Sequence, residues 1–171
     1  MQGVRHLGYT INVEHPAAWV DKGEQIVRDL VEVFSHPRIS HSCLRHLLAN
    51  QHRLIRGRYE AADGRGCLMF VLTEPLANQH VRSKADLLRL FGQRRGIFGL
   101  PGYVSAKNSP EYQPAKWLVR LIDGHICHRV RRRYGRACEL FDYDLVLAVA
   151  EQMLQQQVWQ TSLSAKTRPE A

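Results

Sequence analysis

The amino-acid sequence predicts a mainly α-helical protein, folded as an irregular bundle of five to six helices. Apolar residues recur at intervals of three and four along several segments, which is the spacing of one buried helix face. Capping and turn-forming residues separate these segments. A length of 171 residues and a hydrophobic fraction of 44% suit one domain that buries its own core.

Two helices are predicted in the N-terminal third of the chain. Pro16–Phe34 carries an apolar stripe and begins with a proline, which the first helical position tolerates. His41–Leu54 follows, with Ser40 as its cap. The buried faces of these two segments are predicted to contain Trp19, Ile26, Val27, Leu30, Phe34, Leu44, Leu47, Leu48 and Ile55.

The next segment, residues 54–73, has two interpretations. Asp63-Gly64 is a turn signal, so the segment could form one small β-hairpin. The apolar residues after Cys67 do not alternate with polar ones. We therefore favour a short helix over Cys67–Leu72 and keep the hairpin as the alternative.

A short helix is also predicted between Ser83, which begins a pattern similar to a capping box, and Gly92. Residues 92–110 are rich in glycine and proline and are predicted to form one long loop.

The C-terminal part is predicted to hold three helices. The first starts at Ser109-Pro110, the second covers His125–Tyr134, and the third covers Tyr143–Val158 after the capping residue Asp142. These assignments divide the chain into one helical domain over residues 1–160 and a flexible C-terminal tail over residues 161–171.

The positive charge of the chain is concentrated in one region. The net charge is +8, yet residues 81–136 alone hold thirteen basic and three acidic side chains, a net charge of +10. Most of the basic residues are arginines, whose planar guanidinium groups suit phosphates and carboxylates. Such a local excess is hard to neutralise within the fold and indicates an anionic partner.

The strongest single feature is a run of arginines within the second of the C-terminal helices. Its apolar residues Ile126, Val130 and Tyr134 are four apart and are expected to face inward. The arginines then cover the remaining surface of the helix. In the long loop, Arg94 and Arg95 lie near the aromatic residues Phe98 and Tyr103. Such a combination of basic and aromatic residues can bind phosphates and stack on bases. The predicted binding residues are Arg94, Arg95, Arg129, Arg131, Arg132, Arg133 and Arg136.

These residues support two functional hypotheses. The leading one is a small, non-enzymatic binding or accessory protein that contacts nucleic acid through the arginine-rich face. The alternative is an adaptor or assembly subunit whose arginines pair with an acidic protein, with exposed aromatic residues such as Trp159 or Tyr103 as anchors. A charge run can also be only a solvated helix face, or be neutralised by nearby acids such as Glu139.

A third hypothesis is a metal- or thiol-dependent enzyme. Cys67 would have a lowered pKa if a helix began there beside Arg65. Two groups of histidines and cysteines could supply ligands, but neither shows a recognised zinc-binding spacing. We therefore expect no cofactor or metal. The grouped residues are His36, His41, Cys43, His46 and His52, and then His125, Cys127, His128 and Cys138.

The sequence also predicts the cellular compartment of the protein. No apolar run approaches the ~20 residues that cross a bilayer, and the N-terminus does not resemble a signal peptide. We expect a cytoplasmic protein without a membrane partner, whose four cysteines stay reduced.

Overall fold

The chain begins with a two-stranded antiparallel hairpin. The computed structural model describes residues 2–36, 39–58, 60–79 and 112–166. Strand β1 (Val4–His6) pairs with β2 (Tyr9–Ile11), in a register that places Val4 opposite Ile11. Both turn residues have positive φ, +48° at Leu7 and +82° at Gly8, as a tight two-residue hairpin requires.

Eight α-helices follow among the described residues. They are α1 (Pro16–Trp19), α2 (Gly23–Phe34), α3 (His41–Ala49), α4 (Leu68–Thr73), α5 (Tyr112–Ile122), α6 (His128–Tyr134), α7 (Ala137–Leu140) and α8 (Tyr143–Lys166). Two 3₁₀ segments, Gln51–Arg53 and Glu74–Gln79, follow α3 and α4. The predicted class, mainly helical with one small hairpin, is confirmed.

The hairpin does not lie where the sequence suggested. Over residues 54–73 the structure has isolated bridges from Gly66 to Leu54 and to Glu60, followed by α4. The favoured short helix is therefore correct, and the hairpin at this place is not. The true hairpin turn carries Leu7, a residue that rarely adopts positive φ, so its sequence gave no turn signal.

The first predicted helix is divided into α1 and α2. Lys22 adopts φ +57°, and a Cβ at Gly23 would lie 1.8 Å from the Ala17 carbonyl oxygen. The glycine thus lets α2 pack directly on the backbone of α1, which one continuous helix could not do. The second predicted helix is also shorter than expected, because α3 ends at Ala49 and a 3₁₀ turn follows.

Helix α2 lies at the centre of the fold, where it packs against α1, α5, α6 and α8. Its predicted apolar stripe is confirmed from Ile26 to Phe34, whereas Trp19 on α1 is only half-buried. The core formed around it includes Leu30, Phe34, Leu44, Leu47, Leu72, Leu118, Val130, Tyr134, Val146 and Met153.

Helix α8 closes the bundle and covers the outer edge of β2. The Gln156 side chain accepts from the Thr10 N–H (3.1 Å) and donates to the Thr10 carbonyl (2.7 Å). Gln152 does the same at Asn12, with distances of 2.8 and 3.0 Å. At the start of α8, the Asp142 side chain accepts from the Asp144 N–H, so the predicted cap is confirmed.

Several predicted features lie partly or wholly outside the described residues. Helix α8 continues to Lys166, past the point at which a flexible tail was predicted to begin. Residues 167–171, the helix predicted after Ser83 and the loop over residues 92–110 lie outside the described residues. Within the described ranges, no helix has the length and apolar character needed to span a bilayer.

Candidate anion-binding surface on helix α6

Helix α6 is held to the core by two side chains one turn apart, Val130 and Tyr134, both fully buried. The helix begins after Cys127 and ends at Gly135, whose φ is +56° and whose N–H donates to the Arg131 carbonyl at 2.7 Å. With its apolar residues on one side, the helix must place its arginines around the rest of its circumference. The structure gives these arginines different environments.

Arg133 is committed to the fold. Its Nε and Nη2 donate to the two carboxylate oxygens of Asp29, both at 2.6 Å, and Asp29 is only 1% exposed. Tyr134 and Gln25 donate to the same carboxylate at 2.6 and 2.8 Å. Burial, together with this carboxylate, raises the pKa of Tyr134 well above its usual value. Four donors therefore satisfy the buried charge, and Arg133 cannot leave it without a large penalty.

Arg131 has a weaker attachment. It pairs with Glu139 of α7, and both side chains are about half exposed to solvent. Exposed pairs of this kind contribute little to stability because water screens both charges. Arg131 can therefore exchange this partner for another anion at low cost.

Arg129, Arg132 and Arg136 are exposed and make no ion pair with any other described residue. We call these three residues the free arginine surface. Lys22 reaches this surface from the α1–α2 junction, where its Nζ donates to the Arg132 carbonyl at 3.1 Å. The positive charge of Lys22 at the carboxyl end of α6 also interacts favourably with the negative end of the helix dipole.

A cleft of about 670 Å³ lies beside the free arginine surface, where the start of α2 meets the end of α6. Four basic and two acidic residues border it, and because Asp29 neutralises Arg133, the other five charges leave a formal charge of +1. The charged lining residues are Lys22, Arg28, Arg132, Arg133, Asp21 and Glu24. Glu24 contacts Arg28 at 3.4 Å, and Asp21 lies so close to Gly135 that a Cβ there would be 2.1 Å from its Oδ2.

Sequence reasoning missed Lys22 and Arg28, because it searched for the basic face within residues 81–136. These two residues lie more than one hundred positions before Arg132 and belong to a segment of modest net charge. The helical pattern of α2 shows that Arg28 is polar and off the apolar stripe. Only the packing of α2 against α6 brings it to the cleft.

Arg94 and Arg95, the remaining predicted binding residues, lie outside the described residues, as do Phe98 and Tyr103. The same holds for the side chain of Trp159, although its backbone belongs to α8. The contribution of these residues stays a prediction.

A second basic cleft, of about 570 Å³, lies in the loop between α3 and α4. Two of its three arginines have partners, whereas Arg58 is exposed. Arg56 donates to the Leu121 carbonyl at 3.0 Å and lies over the Phe141 ring, and Arg65 pairs with Asp63 at 2.6 Å. The Arg65–Asp63 pair is as exposed as the Arg131–Glu139 pair, so this loop is a second, weaker candidate, whose cations all come from one short segment of the chain.

The histidines and cysteines considered as possible metal ligands do not converge in the part of the chain that is described, where no group of three or more His, Cys, Asp or Glu side chains could hold an ion. His46 Nε2 instead donates to the Glu74 carboxylate at 2.7 Å, and this carboxylate also accepts from Arg53. Cys43 is buried in the core.

Cys67, the candidate reactive thiol of the third hypothesis, is instead a core residue. Cys67 immediately precedes α4, but it is only 4% exposed, and Arg65 donates to Asp63. Cys127, which sequence reasoning treated as a ligand candidate, is the exposed cysteine. The backbone N–H groups of Val130 and Arg129, together with the Arg120 side chain 3.7 Å from its sulfur, lower the pKa of Cys127.

In comparisons with protein-family models, curated proteins and solved structures, this chain matches none. The function must therefore be argued from the chemistry of the surface itself. The free arginine surface and its cleft are the best candidates, because their cations are exposed and come together from separate parts of the fold.

Proposed function

We propose that this protein is a small nucleic-acid-binding protein and that the free arginine surface, extended by Lys22 and Arg28, contacts the phosphate backbone. The observation that carries the proposal is the cleft, where Arg132, which has no ion-pair partner among the described residues, lies with Arg28 of α2 and with Lys22. Convergent cations release condensed counterions when they meet a polyanion, which is the main source of such affinity. A reducing compartment such as the cytoplasm suits a chain whose four cysteines, all of them among the described residues, form no disulfide.

The choice of residues follows from their present partners. Arg133 is excluded from the proposed contact because it binds the buried Asp29. Arg131 would contribute by leaving Glu139. Arg129, Arg132 and Arg136 have no such competing partner among the described residues, so their full charge is available to phosphate oxygens.

The test is fluorescence anisotropy of a labelled oligonucleotide, titrated with the full chain at several salt concentrations. We expect binding whose log affinity falls linearly with log salt. The double variant Arg129→Ala, Arg132→Ala should lose at least tenfold in affinity, and its salt slope should fall by about two.

The matched control is Arg5→Ala, Arg45→Ala, which removes the same charge from exposed positions on β1 and α3. It should change affinity by less than about threefold, since only general attraction is lost. The proposal fails if no binding occurs at low salt, if binding is independent of salt, or if both double variants lose affinity equally.

A second candidate is supported by one apolar side chain. Leu140 on α7 is 45% exposed and follows Glu139, the partner of Arg131. An acidic protein could pair with the arginines and cover this leucine as an apolar anchor. A stoichiometric protein that remains bound after nuclease treatment, and that Leu140→Asp releases, would favour this adaptor role over nucleic acid.

A further inference from the structure

The cleft between α2 and α6 is bordered by an aromatic residue as well as by cations. Trp19, the last residue of α1, borders it together with Lys22, Arg28 and Arg132. The indole N–H already donates to the Val13 carbonyl at 2.7 Å. Because its one polar group is already hydrogen-bonded, the Trp19 side chain can contact a ligand in the cleft only through its apolar ring.

We infer that this cleft holds one unpaired nucleotide of a nucleic-acid strand, with its base against Trp19 and its phosphate against Arg28 and Arg132. This inference rests on the proposed function and specifies its substrate as single-stranded nucleic acid. Aromatic side chains that stack on bases, next to cations that bind the backbone, are the usual means of binding single strands.

The size of the cleft agrees with this ligand. A volume of about 670 Å³ lies within the range of sites that enclose small organic ligands. A base in a duplex has both faces covered by its neighbours, so it could reach Trp19 only by leaving the stack. The cleft therefore discriminates against duplex, whereas Arg129 and Arg136, which do not border it, can contact the backbone of either form.

The electrostatic arrangement supports a phosphate at the end of the cleft near α6. The first turn of α2, a twelve-residue helix, borders the cleft at Gly23, Glu24 and Gln25, and its N-terminal dipole favours an anion. Arg28 is about 41% exposed and has only Glu24 as its ion-pair partner among the described residues, at a long 3.4 Å. A phosphate can therefore replace Glu24 at Arg28 without exposing a buried charge.

The experiment compares a mixed-sequence single strand with the same strand annealed to its complement, using the full chain and anisotropy. We expect the single strand to bind at least tenfold more tightly. Trp19→Leu should reduce single-strand affinity about tenfold and leave duplex affinity within threefold. Arg28→Ala removes a cation that either form can meet, so it should weaken both forms, and the single strand by the larger factor. Trp19→Phe, which keeps a ring, should retain most of the preference.

Arg129→Ala is the matched control, because Arg129 lies on α6 but does not border the cleft. It should weaken single strand and duplex by the same factor. Circular dichroism must show that each variant folds, and Arg28→Ala provides the test if Trp19→Leu does not.

The two proposals fail in different ways. Equal affinity for single strand and duplex, or equal loss of both in Trp19→Leu and Arg28→Ala, overturns the single-strand inference and leaves the arginine surface as a general backbone site. Absence of salt-dependent binding to either form overturns both proposals.

Discussion

Arg132 and Arg133 are neighbours in the sequence, yet the fold uses them in opposite ways. Arg133 binds a carboxylate that is 1% exposed, together with Tyr134 and Gln25. Arg132 is exposed on the border of a cleft. The comparison between the buried and exposed sides of α6 teaches that an arginine-rich run is not one functional unit. Charge density in the sequence indicates a surface, but partners in the structure decide which charges are available.

The largest effect should come from removing the acid of the buried side. Asp29→Ala leaves the Arg133 charge and the Tyr134 hydroxyl without their partner, so unfolding free energy should fall by about 3–5 kcal/mol. Urea denaturation measures this loss. Glu32→Ala, one turn later on α2, is the control, because Glu32 is 40% exposed and pairs with His6 at the surface. A loss below 1 kcal/mol for Asp29→Ala would contradict the buried network.

The end of α6 should be the next most sensitive point. Gly135→Ala forces a side chain into φ +56° and against Asp21, where a Cβ would lie 2.6 Å from the backbone carbonyl oxygen. We expect a loss of about 2–4 kcal/mol in denaturation. Gly64→Ala separates the two causes, because Gly64 has φ +79° but open space around it. It should lose only about 1 kcal/mol. Equal losses at both glycines would show that the contact with Asp21 is unimportant.

The exposed ion pair should contribute much less. A double-mutant cycle with Arg131→Ala and Glu139→Ala should give a coupling energy of about 0.2–1 kcal/mol at low salt, and less at high salt. A coupling above 2 kcal/mol would mean that Arg131 belongs with Arg133 rather than with the exposed arginines.

The free arginine surface should have almost no effect on stability. Arg132→Ala is expected to change unfolding free energy by less than about 0.5 kcal/mol while it weakens oligonucleotide binding. Arg133→Ala should instead cause a large loss of unfolding free energy, because it leaves the buried Asp29 carboxylate without its main partner. If Arg132→Ala destabilised the fold as much as Arg133→Ala, the division between the two sides of α6 would be wrong.

The start of α6 offers a test that involves no loss of stability. Because the pKa of Cys127 is lowered, its thiolate forms at lower pH than in the unfolded chain. Iodoacetamide should therefore modify Cys127 before the other cysteines, and the pH at half-maximal rate should lie below that of the same thiol in urea. Arg120→Gln should move this midpoint upward. A native midpoint equal to the unfolded one would contradict the role of the surrounding N–H groups.

Some features of the fold could be predicted from the sequence, and others could not. The stripe from Ile26 to Phe34 predicted a buried helix face, since periodic burial is a local property of a helix. The break before Gly23 could not be predicted, because it depends on close contact with Ala17. The N-terminal hairpin also escaped prediction, because its outer edge is satisfied by Gln152 and Gln156 from the far end of the chain.

The sequence by itself determined the helical class, the buried faces of the helices and the excess of arginine on α6, because these depend on residue type and local spacing. The tertiary structure decided that Arg133 serves the fold, and that Arg132 meets Arg28, Lys22 and Trp19 at one cleft. The physical reason is that ion pairing and cleft formation require groups distant in the chain to come within a few ångströms. Helical periodicity carries no information about such distances.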